Sequence, residues 1–129
     1  MSVERLEQER NIWMTTVRAD GRPHLAPVWF VYVDDRLWVG TGLDSVRVKN
    51  LLANPGASVS LESGNEPVVG EGTVVVHETE RPPAVVQAFL QKYEWDITVE
   101  QDVDLGRVAL LEFRPHRWLF KSALPTVAP

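Results

Sequence analysis

The chain contains no cysteine among its 129 residues. This absence excludes disulfide bonds, thiolate metal ligands and cysteine nucleophiles. No apolar run approaches the roughly 20 residues that a membrane-spanning helix requires. The first ten residues, MSVERLEQER, carry charge from the fourth residue onward and lack the apolar core of a signal peptide. Together these absences predict a cytoplasmic protein.

Histidine and excess positive charge are also scarce. The three histidines, His24, His77 and His116, show no ligand spacing, so we expect no metal site. The net charge of −5 argues against a nucleic-acid partner, which requires a basic face. With 44% hydrophobic and 24% charged residues, the chain is long enough for one domain with a core and too short for two. We therefore expect a single domain over residues 1–129, with residues 123–129 as a loose tail.

Hydrophobic patterning and turn residues predict a mainly β domain. Asp20-Gly21 and Asp34-Asp35 are turn signals between apolar runs, and Asn54-Pro55 ends a helical pattern. A mostly antiparallel sheet of six or seven short strands with two or three helices is typical of a small barrel. Strands are predicted at 11–18, 24–33, 36–41, 57–62, 68–77, 108–114 and 118–122, and helices at 3–9, 45–54 and 79–96.

The run from Val28 to Val33 has no polar residue on either face. A strand in a half-solvated antiparallel sheet alternates in polarity, so we expect this one to be covered on both sides. The inner cover is the core, whereas the outer cover is a helix, another subunit or a planar ligand. A helix or a subunit is favoured over the ligand on this observation alone.

The predicted helix at Ser45 carries two cations where the helix dipole disfavours them. Asp44 or Ser45 caps its N-terminus, and Arg47 and Lys49 follow in the first turns. A phosphate on the free N–H groups would reverse this unfavourable effect, and Arg47 is better placed to reach it. The alternative is a solvated pair between Asp44 and Arg47. On the buried face of this helix we expect the apolar side chains of residues 48, 51 and 52.

Thr41 and Gly42 precede this helix and would fit the rim of a phosphate site, because they supply a hydroxyl donor and a flexible backbone. The segment does not match the glycine-rich loop of P-loop nucleotide-binding proteins. From the residues alone, an anion site beside an apolar hairpin is therefore slightly favoured over a solvated helix end.

Four motifs follow one another along the chain: T-x-x-x-D-G-R-P-x-x-x-P-V-W-F, x-L-x-x-x-T-G, S-x-R-x-K-N-L and E-G-T. Their order resembles that of the flavin-binding split β-barrel proteins, the relatives of pyridoxamine 5′-phosphate oxidase. The similarity covers about residues 12–120 and is greatest to the small branch that uses the deazaflavin coenzyme F420. The family often has Lys where Arg47 stands and Arg where Lys49 stands, a change that keeps charge but alters hydrogen-bond geometry.

The resemblance implies a split β-barrel of the FMN-binding type that forms a homodimer with two cofactor sites at the subunit interface. The hairpin backbone around Pro27, Val28 and Trp29 would lie against the ring system. Thr41, Arg47 and Lys49 would hold the phosphate, and Trp118 would approach the cofactor bound mainly by the other subunit. The full predicted cofactor-binding set is Pro27, Val28, Trp29, Thr41, Gly42, Ser45, Arg47, Lys49 and Trp118.

The function that the resemblance implies is hydride transfer between reduced F420 and a small hydrophobic organic substrate. No catalytic side chain is expected, because the cofactor carries the chemistry. The alternatives are an FMN-dependent oxidoreductase, a flavin or deazaflavin carrier without turnover, and a dimeric scaffold whose pocket has degenerated. Arg114-Pro115-His116 is similar to the Arg-x-His of the substrate site in true pyridoxamine phosphate oxidases, although a turn at Pro115 is the simpler interpretation.

Overall fold

A computed structural model of the chain describes residues 2–120, over which three helices and eight strands follow one another. The predicted tail, residues 123–129, lies outside the described residues. The elements are α1 (Ser2–Gln8), β1 (Ile12–Val17), β2 (Pro23–Val28), β3 (Phe30–Val33), β4 (Arg36–Gly42), α2 (Val46–Ala53), β5 (Gly56–Ser60), β6 (Val68–His77), α3 (Pro83–Tyr93), β7 (Gln101–Asp102) and β8 (Gly106–Phe120).

The sheet is antiparallel throughout and follows the order β2-β1-β5-β6-β8-β4-β3, with the short β7 paired to β8. Its two end strands, β2 and β3, are joined in the chain by Trp29 alone. The sheet must therefore curl until its ends approach each other, which makes it a half-closed barrel. This architecture confirms the predicted split β-barrel with its mainly β composition.

Two apolar clusters cover the two faces of the curled sheet. The inner cluster fills the barrel, and Ile12, Met14, Phe30 and Phe113 are completely buried in it. The outer cluster lies between the sheet and α3 and contains Val31, Trp38, Val85, Phe89, Tyr93, Ile97 and Leu110. Because both faces of β4 are covered, its residues 37–39 are all buried.

The continuous strand predicted at 24–33 is wrong, since the chain leaves one end of the sheet at Val28 and joins the other end at Phe30. The end of α3 holds the backbone at this crossing. The Phe30 N–H donates to the Tyr93 hydroxyl over 3.0 Å, and Lys92 Nζ donates to the Phe30 carbonyl over 2.9 Å. Of the three outer covers considered for this run, α3 is the one that packs on Val31.

The two final strands predicted at 108–114 and 118–122 are one strand, β8, so the turn expected at Pro115 is wrong. Proline lacks the N–H that a central strand needs. Pairing with β4 ends at Phe113, and Pro115 has only β6 beside it. A register shift between Glu71 and Gly72 accommodates the extra residue of β8 opposite this point.

The predicted helix at Ser45 is confirmed with close bounds. Ser45 Oγ accepts a hydrogen bond from the Val48 N–H over 3.3 Å, and α2 ends at Ala53, before Pro55. The prediction that Leu52 is buried is wrong, because its side chain is 71% exposed. Asn50 is buried instead, and its side-chain amide donates to Thr16 Oγ1 on β1 over 3.0 Å. The buried face of α2 is therefore formed by residues 48, 50 and 51.

The third predicted helix is confirmed over a shorter range. It begins at Pro83, where a missing N–H costs nothing, and ends before Glu94, which adopts a left-handed φ of 56°. An acidic connection, predicted at residues 97–106, follows this helix and contains β7. Within the described part of the chain, no helix has the length and apolar character needed to cross a membrane.

A buried carboxylate, Glu112, lies in the outer layer of the sheet. Its side chain is bonded to Arg36 Nη1 over 2.6 Å, to His77 Nε2 over 2.8 Å and to Arg114 Nε over 2.9 Å. Burial alone raises the pKa of Glu112, but the bonds from Arg114 and His77 outweigh it and the net pKa is lowered. Arg114 of the Arg-Pro-His tripeptide is thus part of this network.

Candidate functional site

A cavity of about 530 Å³ opens where the crossing from β2 to β3 meets the end of β4 and the loops after α3. Five residues of the predicted set line it: Pro27, Val28, Trp29, Thr41 and Arg47. They come from three separate parts of the chain, and the curling of the sheet brings them together. The crossing from β2 to β3 and the basic start of α2 therefore border one space.

Arg47 lies at the wall of this cavity in the first turn of α2. Its Nη1 donates to Thr41 Oγ1 over 2.7 Å, and Thr41 is only 3% exposed. Its Nε is buried and has no hydrogen-bond partner, and burial lowers the pKa of the guanidinium. Among residues 2–120, Arg47 forms no ion pair with Asp44 or another carboxylate. The side chain is therefore fixed by one bond and retains donor capacity for an anion.

Trp29 forms an aromatic side of the cavity and is 43% exposed. Its ring stacks on Tyr93, with centroids 4.4 Å apart and planes inclined by 10°. The Tyr93 hydroxyl is itself held by the Arg10 carbonyl over 2.7 Å, and the Arg10 guanidinium lies 4.7 Å from the Tyr93 ring centroid. These contacts position Trp29 although much of its surface faces solvent.

Trp95 lies over Gly40 of β4 and adds a second aromatic side. A Cβ at Gly40 would come within 2.6 Å of Trp95 Cζ3, so only glycine admits the ring at this place. Trp95 meets Trp29 edge-on, with centroids 6.2 Å apart and planes at 71°. Sequence analysis did not identify Gly40 and Trp95 as residues of the cavity. A glycine inside the strand at 36–41 was the available signal, since it marks the close approach of another group.

The remaining side of the cavity is acidic and comes from Glu94, Asp102 and Asp104. Asp102 Oδ1 accepts the Asp104 N–H over 2.8 Å, which makes the loop turn tightly after β7. The Leu105 carbonyl then packs within 2.6 Å of where a Cβ at Gly42 would stand. Gly42 is thus required for the packing of this loop, and it does not line the cavity.

Three further residues of the predicted set are not brought to the cavity. Ser45 caps α2, and Lys49 is exposed, two positions from Arg47 and on another side of the helix. Trp118 of β8 packs over Gly70 of β6, and its ring centroid lies 6.5 Å from that of Phe113. Within one chain, the structure therefore gathers Pro27, Val28, Trp29, Thr41 and Arg47. It adds Glu94 and Trp95, which sequence analysis did not identify, and two residues of the acidic connection 97–106, Asp102 and Asp104.

A curled antiparallel sheet with a short helix and a basic side chain at its mouth defines the split β-barrel class of proteins. The chain belongs to the pyridoxamine 5′-phosphate oxidase family, since the family model of that description matches residues 2–122. No match was found among curated proteins.

Solved structures with this fold include a conserved hypothetical protein from Mycobacterium tuberculosis. It is 22% identical with a TM-score of 0.75, and the match covers 99% of this chain and 90% of that one. An F420 reductase is 20% identical with a TM-score of 0.69, covering 88% and 91%. An FMN-binding, pyridoxamine 5′-phosphate oxidase-related protein from Nostoc punctiforme is 17% identical with a TM-score of 0.60, covering 90% and 88%. These similarities establish the shared fold.

Proposed function

We propose that this protein is an oxidoreductase that binds coenzyme F420 in the cavity and transfers a hydride between the reduced cofactor and a small hydrophobic organic substrate. The observation that carries this proposal is the half-buried guanidinium of Arg47 on the wall of a cavity bordered by Pro27, Val28 and Trp29. Its Nε is buried and has no partner among the described residues. A basic group held in this way fits a phosphate, and a neighbouring flat apolar surface fits a ring system.

The residues divide the work of binding between them. Thr41 fixes Arg47 through its hydroxyl, so that the guanidinium is preorganised for the phosphate. Pro27, Val28 and Trp29 supply the surface for the ring, and Trp95 shields it from water. When bound, the cofactor supplies the hydride chemistry, and the protein orients its ring and excludes solvent. A catalytic acid or base on the protein is not required for this role.

The family and its structural neighbours support a flavin-type cofactor. Between F420 and FMN, we propose F420. An F420 reductase and an FMN-binding protein both share this fold. The runner-up is an FMN-dependent oxidoreductase that uses the same phosphate and ring contacts. A non-catalytic carrier of either cofactor is the third candidate, because binding alone needs the same residues.

We further propose a homodimer in which the partner subunit completes the site, and a location in the cytoplasm. The outer face of β1 and β2 exposes Trp13 by 37% and Leu25 by 60%, as an interface would require. Trp118 packs away from the cavity of its own chain, which fits a role toward the cofactor of the other subunit. Lys49, exposed near the start of α2, stays a secondary phosphate contact in this proposal.

The test is to titrate purified protein with F420 and, separately, with FMN. Binding is measured by the quenching of tryptophan fluorescence, since two tryptophans line the cavity. Arg47→Ala should weaken binding strongly and Lys49→Ala only slightly. Arg5→Ala, which removes an equal charge from α1, should bind as the wild type does. If neither cofactor binds the wild-type protein, the proposal is wrong.

Turnover separates the enzyme from the carrier. Reduced cofactor is mixed with a panel of apolar, electron-poor organic compounds, and its oxidation is followed by absorbance against a protein-free control. Consumption that depends on the protein and is lost in Arg47→Ala supports the oxidoreductase. Tight binding without consumption of any compound in the panel supports the carrier.

A further inference from the structure

The inner face of β1 and β2 ends in basic residues next to the start of α2. Alternation along β1 places Met14 and Thr16 inside, where both are completely buried, and Arg18 continues this alternation just past the strand. On β2, His24 lies directly opposite Thr16. Residues opposite each other in an antiparallel pair share one face, so His24 also faces inward.

A hydrogen bond between β1 and α2 places Arg47 near the basic end of the inner face of β1 and β2. Asn50 Nδ2 donates to Thr16 Oγ1 over 3.0 Å, and Arg47 precedes Asn50 by one turn on the same side of α2. Helical side chains lean toward the N-terminus of their helix, so Arg47 extends beside the strand that carries His24. Each of the two side chains contains a buried nitrogen without a partner, namely His24 Nδ1 and Arg47 Nε.

We propose that His24 and Arg18 complete, with Arg47, one anion site that binds the phosphate group of the cofactor. This inference rests on the proposed function and extends its phosphate site from α2 to the inner face of the barrel. Within residues 2–120 none of the three basic side chains forms an ion pair with a carboxylate. Basic groups gathered without a countercharge destabilise a folded protein, and a bound phosphate would supply that charge.

The charges around His24 give the site a pH dependence. Arg18 faces it from the end of β1 and Arg47 from α2, whereas Asp20 and Arg22 in the turn are exposed and bonded to each other over 2.8 Å. Burial, then the charges of Arg47 and Arg18, lower the pKa of His24 below its usual 6.5 in the free protein.

A bound phosphate acts on this histidine in the opposite direction. It favours the imidazolium and raises the pKa of His24, so binding takes up a proton. Affinity for the phosphate therefore increases as pH falls through the pKa of the complex, and it levels off below the pKa of the free protein.

The experiment compares the cofactor that the wild-type protein binds, F420 or FMN, with the same ring system lacking the phosphate (riboflavin in the case of FMN). Affinities are measured at pH 6.5, 7.5 and 8.5; in this range the phosphomonoester of FMN, with a second pKa of about 6, is mostly dianionic. The variants are His24→Gln and, as a matched control, His116→Gln, since His116 is an exposed residue of β8.

The wild type and His116→Gln should bind the phosphorylated cofactor more tightly at pH 6.5 than at pH 8.5. His24→Gln should bind it about tenfold more weakly at pH 6.5, the effect of losing one hydrogen bond to a charged group, and without the pH dependence. Affinity for the phosphate-free ring should be unchanged by the substitution. Arg18→Gln should weaken binding of the phosphorylated cofactor while the pH dependence remains.

The inference is overturned if His24→Gln retains both the affinity and the pH dependence of the wild type, or if it weakens binding of the phosphate-free ring equally. In the first case a loss of binding in Arg47→Ala would leave the proposed function intact. If neither F420 nor FMN binds the wild type, the proposed function and this inference both fall. Should His24→Gln not fold, as judged by circular dichroism, Arg18→Gln carries the test through its affinity for the two ligands.

Discussion

Replacing Arg47 by methionine should weaken cofactor binding and leave the free protein about as stable as the wild type. The substitution keeps an unbranched apolar stem at the cavity wall but removes the guanidinium, whose Nε is buried without a partner. A buried unsatisfied donor costs about 1–3 kcal/mol, whereas the lost bond from the charged guanidinium to Thr41 contributed about 1.5–3 kcal/mol. The two effects nearly cancel, so the free energy of unfolding should stay within about 1 kcal/mol of the wild-type value. For a chain of 129 residues this corresponds to a Tm change of at most about 4 °C.

Cofactor binding should change by much more than stability. One or two hydrogen bonds to a charged phosphate are worth about 1.5–3 kcal/mol each, so affinity should fall by at least about tenfold. Thermal unfolding of free protein and cofactor titration by fluorescence measure the two effects on the same samples. Thr41→Val, which removes the hydroxyl that holds Arg47, should lower affinity by a smaller factor because the guanidinium remains.

A loss of affinity without a loss of stability is typical of a binding residue, since binding sites contain unfavourable interactions that the ligand relieves. A structural arginine would behave differently. If Arg47→Met lowered the Tm by several degrees and left the affinity for F420 and FMN unchanged, the assignment of Arg47 to a phosphate would be refuted.

Three other predictions concern packing and pH. Gly40→Ala should displace Trp95, lower stability by about 1–3 kcal/mol and shift the tryptophan emission, whereas Gly64→Ala, with open space at its Cβ, should be neutral in the same denaturation assay. Burial, with the charge of a nearby arginine, lowers the pKa of Lys92 to about 8, below its unfolded value of about 10.4. The unfolded chain then binds more protons between these values, so urea unfolding should show stability rising from pH 8 toward pH 10 in the wild type and not in Lys92→Met. The net pKa of Glu112 is lowered, so its ionised form stabilises the fold above the unfolded pKa of about 4.3, and this stabilisation is lost as pH falls below that value. Glu112→Gln should lower the free energy of unfolding at pH 7 by about 1–3 kcal/mol. In the same urea assay it should also remove part of the loss of stability in acid.

The bounds of the local elements were predictable because their signals lie within a few residues. Ser45 and Asn54-Pro55 delimit α2, and the turn at Asp34-Asp35 is confirmed, with positive φ angles of 56° and 61° that a two-residue hairpin turn requires. The position of Arg47 in the first turn of a capped helix follows from the same local rules. An anion site was thus indicated by sequence alone as a local conflict between charge and helix dipole.

Pairings and cavity walls were not predictable in this way, because they depend on groups distant in the chain. The break at Trp29 is set by Tyr93 and Lys92, which lie more than 60 residues later in the chain. Pro115 is tolerated because the pairing of β8 with β4 ends at Phe113. Neither cause leaves a mark in the local pattern.

For this protein, sequence by itself determined the mainly β barrel, the basic start of α2 and the turn at Asp34-Asp35, because periodicity, caps and turns act over short distances. The tertiary structure alone decided what surrounds Arg47. It gave the guanidinium one partner, Thr41, left its Nε without another, and placed His24 at the same end of the barrel. Curling of the sheet is the physical reason, since it brings β2, β4 and α2 together without any shared local signal.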